Sequence, residues 1–118
     1  MATAEELREA LEDFVARYQE EPRLKVMNRD WDRVLHVVPT DLPEGRFTLR
    51  VKEGDVLLED GASGEADMVL RAKSDLLTDL FFGDISPTEP YMQGDLRIEA
   101  SEEDTIRLDV ITLMIWGE

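Results

Sequence analysis

The chain has 118 residues, with 28 Asp and Glu against 13 Lys and Arg and no cysteine, for a formal net charge of −15. This length suits a single domain over 1–118 with one core, burying roughly two-thirds of the surface that the unfolded chain exposes. The charge opposes binding to nucleic-acid phosphates and anionic lipid surfaces, and the missing cysteines exclude disulfides, thiolate metal sites and thiol nucleophiles.

No stretch reaches the ~20 consecutive apolar residues of a bilayer span, and the opening MATAEELREALEDF is charged where a signal peptide needs an apolar block. A cytoplasmic location without stable membrane insertion is therefore expected. Ten of the basic residues are Arg and three are Lys (Lys25, Lys52, Lys73). With the acid excess, that skew fits a salt-adapted organism, because salt screens the self-repulsion of a highly charged compact state. A soluble acidic protein from a GC-rich genome accounts for the same composition.

In chain order, Thr3-Ala4-Glu5-Glu6 has the pattern of a capping box. A helix follows, with Leu7, Leu11, Phe14, Val15 and Tyr18 on one stripe. Pro22 restarts a short second helix in PRLKVMNRD. From Trp31 the period changes to two. DWDRVLHVV sets Trp31, Leu35 and Val37 on one face and Val34, His36 and Val38 on the other, a strand partly covered on both sides. RFTLRVK alternates with Phe47, Leu49 and Val51 inward, and Glu53-Gly54-Asp55 turns it into DVLLED as a hairpin. After the polar GASGEA loop, DMVLRA alternates through Met68, Leu70 and Ala72.

Ser74 offers an N-cap for a helix over DLLTDLFF that Gly83 can end in the left-handed conformation. DISPTEPYMQ, with Pro87 and Pro90, holds at most one helical turn. Gly94 lets the chain leave that bend and enter DLRIEA, a strand with Leu96, Ile98 and Ala100 inward. Ser101 repeats the capping logic before the last segment, TIRLDVITLMIWGE. The fold class is α+β: a five-stranded, mostly antiparallel sheet with helices packed on one face.

Catalysis finds little support. His36 lies mid-strand and suits a structural or surface role, while none of Ser63, Ser74, Ser86 and Ser101 sits in a G-x-S-x-G elbow. The carboxylate groups Asp30/Asp32, Asp60/Glu65/Asp67 and Glu102/Glu103/Asp104 read as solvated faces or caps. The Asp60 to Asp67 loop lacks the order of a calcium site, and no glycine pattern followed by Lys cradles a phosphate. No catalytic residue, metal or cofactor is expected.

The final segment is apolar nearly all round if helical, and its β-branched residues also suit a strand. One sheet face cannot cover all of it. The surplus must line a cavity, meet a second copy in a homodimer, or form a strand buried on both sides.

Taken together, EADMVLRAKSDLLTDLFFGDISPTEPYMQGDLRIEAS resembles the sterol carrier protein type 2 family, the sterol-binding or lipid-transfer fold. The resemblance rests on Glu65-Ala66-Asp67 opening a strand, the leucine and aromatic helix Ser74 to Phe82, then Gly83, Pro87, Met92-Gln93-Gly94 and the strand Leu96-Arg97-Ile98. It implies a five-stranded sheet with helices on one face, enclosing an apolar tunnel that holds a lipid. Pro90 and Tyr91 stand where the family tends to have a small residue, Ala100 replaces a frequent glycine, and the chain ends Trp-Gly-Glu, not in a peroxisomal signal. Tyr91 and Met92 thus decide whether such a tunnel is open or plugged.

The expected ligand is a fatty acid, sterol-like molecule or other apolar chain, carried without catalysis. The expected lining is Leu76, Leu80 and Phe81 from the helix, Tyr91 and Met92 from the turn, Leu96 and Ile98 from the strand, and Val110, Ile111, Met114 and Trp116 from the last segment. The alternative is an interaction or dimerisation module with a closed cavity, accessory to a lipid-metabolism enzyme.

Overall fold

Thr3 begins the first helix, α1 (Ala4–Gln19), through a complete capping box: its hydroxyl accepts from the Glu6 N–H, and the Glu6 carboxylate accepts from the Thr3 N–H, both at 3.1 Å. Such a cap contributes about 1 kcal/mol. The apolar stripe is buried as its spacing dictates, with Leu7, Ala10 and Leu11 fully enclosed. The structure, a computed structural model, describes residues 2–116.

Helix α2 (Pro22–Met27) starts on Pro22. Strands β1 (Arg33–Pro39), β2 (Phe47–Lys52), β3 (Asp55–Asp60), β4 (Met68–Ala72) and β5 (Arg97–Glu99) form one sheet in the order β3-β2-β1-β4-β5. The pairings are antiparallel except β1 with β4, which is parallel. Helices α3 (Ser74–Phe82), α4 (Thr88–Gln93) and α5 (Glu102–Trp116) complete the chain. The fold is the expected α+β, mostly antiparallel arrangement.

Phe47, Leu49, Val51, Leu35, Val37, Met68 and Leu70 project from one sheet face into a single cluster with the stripes of α1, α3 and α5. Alternation sends Thr48, His36 and Val69 to the opposite face. There the connection 61–67 must cross from β3 over β2 and β1 to reach β4, and the Thr48 hydroxyl donates to the Gly61 carbonyl at 2.7 Å. Thr48 and His36 are therefore buried on the face without helices, and both faces of β1 are covered, as its two-sided apolar pattern requires. Cross-strand pairs Arg50–Glu59 and Arg71–Glu99 lie on the same face.

Two local expectations change, and one question left open is decided. Ser74 is the first residue of α3, not its cap; its N–H donates to Asp41 at 2.8 Å and its hydroxyl lies 3.0 Å from the same carboxylate, so a distant loop residue caps the helix. Helix α4 exceeds one turn because Pro90 falls in its first turn, where a missing N–H costs nothing. The last segment is a helix, α5. Its start is anchored by Asp104, which is buried and accepts from Trp31 Nε1 at 2.9 Å and from Arg33 Nε at 3.1 Å, while Ser101 Oγ accepts from the Asp104 N–H. The Arg107 guanidinium lies 5.2 Å from the Trp31 ring centre and donates to Asn28 Oδ1 at 2.9 Å. A polar anchor at one end decides helix over strand here, where periodicity alone is ambiguous.

Candidate functional site

Between the helices and the sheet lies a cavity of about 310 Å³. Its floor is apolar and buried: Leu35 of β1, Leu70 of β4, Leu96 at the entrance to β5, and Leu80 of α3. One end is aromatic. Phe14 of α1 meets Phe81 edge-on, with ring centres 5.4 Å apart, and Trp116 lies 5.8 Å from Phe14. Such pairs contribute roughly 0.5–1.5 kcal/mol beyond area burial, so this wall is stiff.

Trp116 is seated there by a glycine. The indole lies so close to Gly83 that a Cβ on Gly83 would stand 2.2 Å from Trp116 Nε1. Gly83 thus ends α3 at φ 82° and also leaves room for the tryptophan closing this end. The indole Nε1 is buried without a hydrogen-bond partner.

The mouth is marked by the exposed members of the lining. Thr88 and Tyr91 of α4 form one lip, and Ile106 and Asp109 of α5 the other. Tyr91 is 51 % exposed, so its ring borders the opening and does not fill the space behind it.

Of the residues expected from the sequence, Leu80, Phe81, Tyr91, Leu96, Ile98, Ile111 and Trp116 come together around this one cavity. Leu76, Met92, Val110 and Met114 do not line it. Leu76 is one helical turn before Leu80, and lies in a separate polar cleft beside Lys73 and Arg97. Met92 is 79 % exposed, turned away from Tyr91 around α4. Val110 and Met114 share the α5 stripe of Arg107, about half a turn from Thr105, Asp109 and Thr112, which face the cavity.

The sequence reading missed Phe14, Leu35 and Leu70, because an inward apolar residue reads the same whether it touches another side chain or empty space. It also missed Pro87 and Thr88, and, on α5, Thr105, Ile106, Leu108, Asp109 and Thr112. The polar members carried a findable signal: Thr105, Asp109 and Thr112 recur at four- and three-residue spacing, one face of a helix.

His36 faces the other side of the sheet from Leu35 and takes no part in the cavity. Among the described residues no His, Cys, Asp and Glu gather as a metal site, and no helix is long and apolar enough to cross a membrane.

Helices thus roof one face of a mixed sheet and leave an apolar cavity between the two layers. The chain matches the SCP-2 sterol transfer family over residues 6–101, and belongs to it. The matched span ends just before α5, the helix that supplies one lip of the mouth. No curated protein matches the sequence.

Among solved structures, the chain is similar to the sterol carrier protein domain 2 of Helicoverpa armigera, at 16% identity over 95% of this chain and 86% of that one, with a TM-score of 0.66. It is similar to the UbiJ-SCP2 ubiquinone synthesis protein, at 18% identity over 87% and 84%, with a TM-score of 0.66. It also resembles part of the stereoselective inverting sec-alkylsulfatase Pisa1 from Pseudomonas sp., at 15% identity and a TM-score of 0.60. That match covers 77% of this chain but only 14% of the alkylsulfatase. At these identities the likeness establishes the fold.

Proposed function

We propose that this protein is a non-catalytic carrier that holds one single-chain lipid in the cavity between its helices and its sheet. The observation that carries the reading is the cavity itself: about 310 Å³, walled by buried aliphatic and aromatic side chains, with a mouth between α4 and α5. That volume lies at the low end of the roughly 300–1,000 Å³ of ligand sites, which favours an alkyl chain over a fused-ring body. Each methylene taken from water contributes about 0.8 kcal/mol, against the cost of ordering the chain. Leu80, Phe81, Tyr91, Leu96, Ile98, Ile111 and Trp116 are the proposed contacts, together with Phe14, Leu35 and Leu70.

A chemical role is less well supported, since the lone histidine faces away from the cavity and the polar lining is three threonines, Tyr91 and Asp109. The closed-cavity module, dimeric or accessory to an enzyme, is also less well supported. Its premise is a plugged interior, whereas Tyr91 stands at the rim.

Delipidated protein should bind a fluorescent alkyl-chain probe at one per chain, and native mass spectrometry of freshly purified material should show a bound lipid. Leu70→Trp and Ile111→Trp each fill the cavity and should weaken binding by about tenfold or more, at an overpacking cost of about 1–3 kcal/mol. Failure of the wild type to bind any fluorescent fatty acid or sterol, or undiminished binding in both folded variants, would refute the proposal.

A further inference from the structure

A lipid seated tail-first in the cavity leaves its headgroup between Thr88 and Tyr91 on one side and Ile106 and Asp109 on the other. Among the described residues, Asp109 is the one charged residue of the lining. Two neighbouring hydroxyls have already committed their protons. Thr105 donates to the Ser101 carbonyl at 2.9 Å, and Thr112 to the Asp109 carbonyl at 2.8 Å. What they offer the cavity is lone pairs, so this lip presents acceptors.

The wider setting has the same sign. Between Lys73 and Arg97 the sequence has no Lys, Arg or His, and it has none after Arg107, while Asp79, Asp84, Glu89 and Asp109 fall in these stretches. They include α3, α4 and most of α5, the elements that frame the mouth. The cations that border these stretches are engaged elsewhere. Arg107 is held over Trp31 by Asn28, and Arg71, Lys73 and Arg97 border the separate polar cleft.

Resting on the carrier reading above, we propose that the cavity selects amphiphiles with a cationic, hydrogen-bond-donating headgroup, such as a primary ammonium, over carboxylates of equal chain length. An ammonium brings three donors and no acceptor, matching the Asp109 carboxylate and the Thr105 and Thr112 lone pairs. A carboxylate brings only acceptors and meets like charge. Next to an apolar wall both effects exceed their size in bulk water. The field of a chain of net charge −15 adds to them by concentrating cationic ligands at its surface.

The test uses the delipidated full chain and the uncharged fluorophore N-phenyl-1-naphthylamine as cavity probe, displaced by dodecylamine, dodecanol or laurate in low salt. Dodecylamine should displace it at a concentration at least about tenfold below laurate, with dodecanol between. About 1 M NaCl should shrink that gap, and so should Asp109→Asn, an exposed substitution. A laurate affinity equal to or above that of the amine overturns the proposal, as does a gap unchanged in Asp109→Asn. Equal displacement by all three leaves the carrier reading standing and removes the headgroup preference alone. Displacement by none of them, without probe binding, removes the carrier reading and this proposal with it.

Discussion

Gly83 and Gly94 form a matched pair that separates backbone strain from steric conflict. Both end helices in the left-handed region, at φ 82° and 86°. Alanine in that region costs about 1 kcal/mol at either position. Their surroundings differ: a Cβ at Gly94 meets nothing within 4 Å, whereas at Gly83 it would lie 2.2 Å from Nε1 and 2.5 Å from Cδ1 of Trp116. The indole must move. Displacing it breaks the ring contact with Phe14, worth roughly 0.5–1.5 kcal/mol, and uncovers some apolar surface at about 25 cal/mol per Å². Gly94→Ala should therefore lose about 1 kcal/mol and Gly83→Ala about 2–3 kcal/mol. Urea titration reads this as a lower midpoint at unchanged slope. Trp116 is one of two tryptophans in the chain, so its release should also shift emission to the red in Gly83→Ala and not in Gly94→Ala. Equal losses in the two variants, with no difference in emission, would refute the argument that Gly83 exists to seat Trp116.

Two further outcomes follow from charge. Melting temperature should rise between about 0.05 and 1 M NaCl as salt screens the net charge of −15, and a flat response would count against salt adaptation. The Asp41 carboxyl is held below its usual range, chiefly by the backbone N–H of Ser74 and also by the Ser74 hydroxyl, which together outweigh desolvation. A group with a depressed folded-state pKa adds stability above its unfolded value, about 3.9, and loses it as pH falls through the folded value. Asp41→Asn should thus be less stable than wild type at pH 7, with the difference narrowing below about pH 4. A constant difference from pH 7 to 3 would exclude this contribution.

Legibility in the sequence followed the physics of each feature. The alternation of Phe47, Leu49 and Val51 and the spacing of Leu7, Leu11, Phe14 and Tyr18 were readable because one wet and one dry face impose a period. The state of residues 105–116 was not, because Asp104 meets Trp31 and Arg33 only through the fold. Ser74 reads as a cap in the sequence because its carboxylate partner, Asp41, is 33 residues away. For the site, apolar surplus pointed to the elements that surround the cavity but not to the faces they present. Leu80 and Leu76 have the same chemistry and differ by one turn along α3; Ile111 and Val110 differ by a fraction of a turn around α5. Which member of each pair meets the cavity depends on helix placement over the sheet, a tertiary property.

The single parallel pairing has a consequence for the order in which the molecule assembles. The hairpin of β2 and β3 joins neighbours across a two-residue turn and can close within microseconds. The β1–β4 pairing joins Val34 to Asp67, 33 residues apart, with the whole hairpin in between. Closing so long a loop is slower, since its entropy is lost before its contacts form. Leu35 and Leu70, the floor of the cavity, sit on those two strands. The cavity floor thus depends on a long-range pairing, and it cannot exist before β1 and β4 have met.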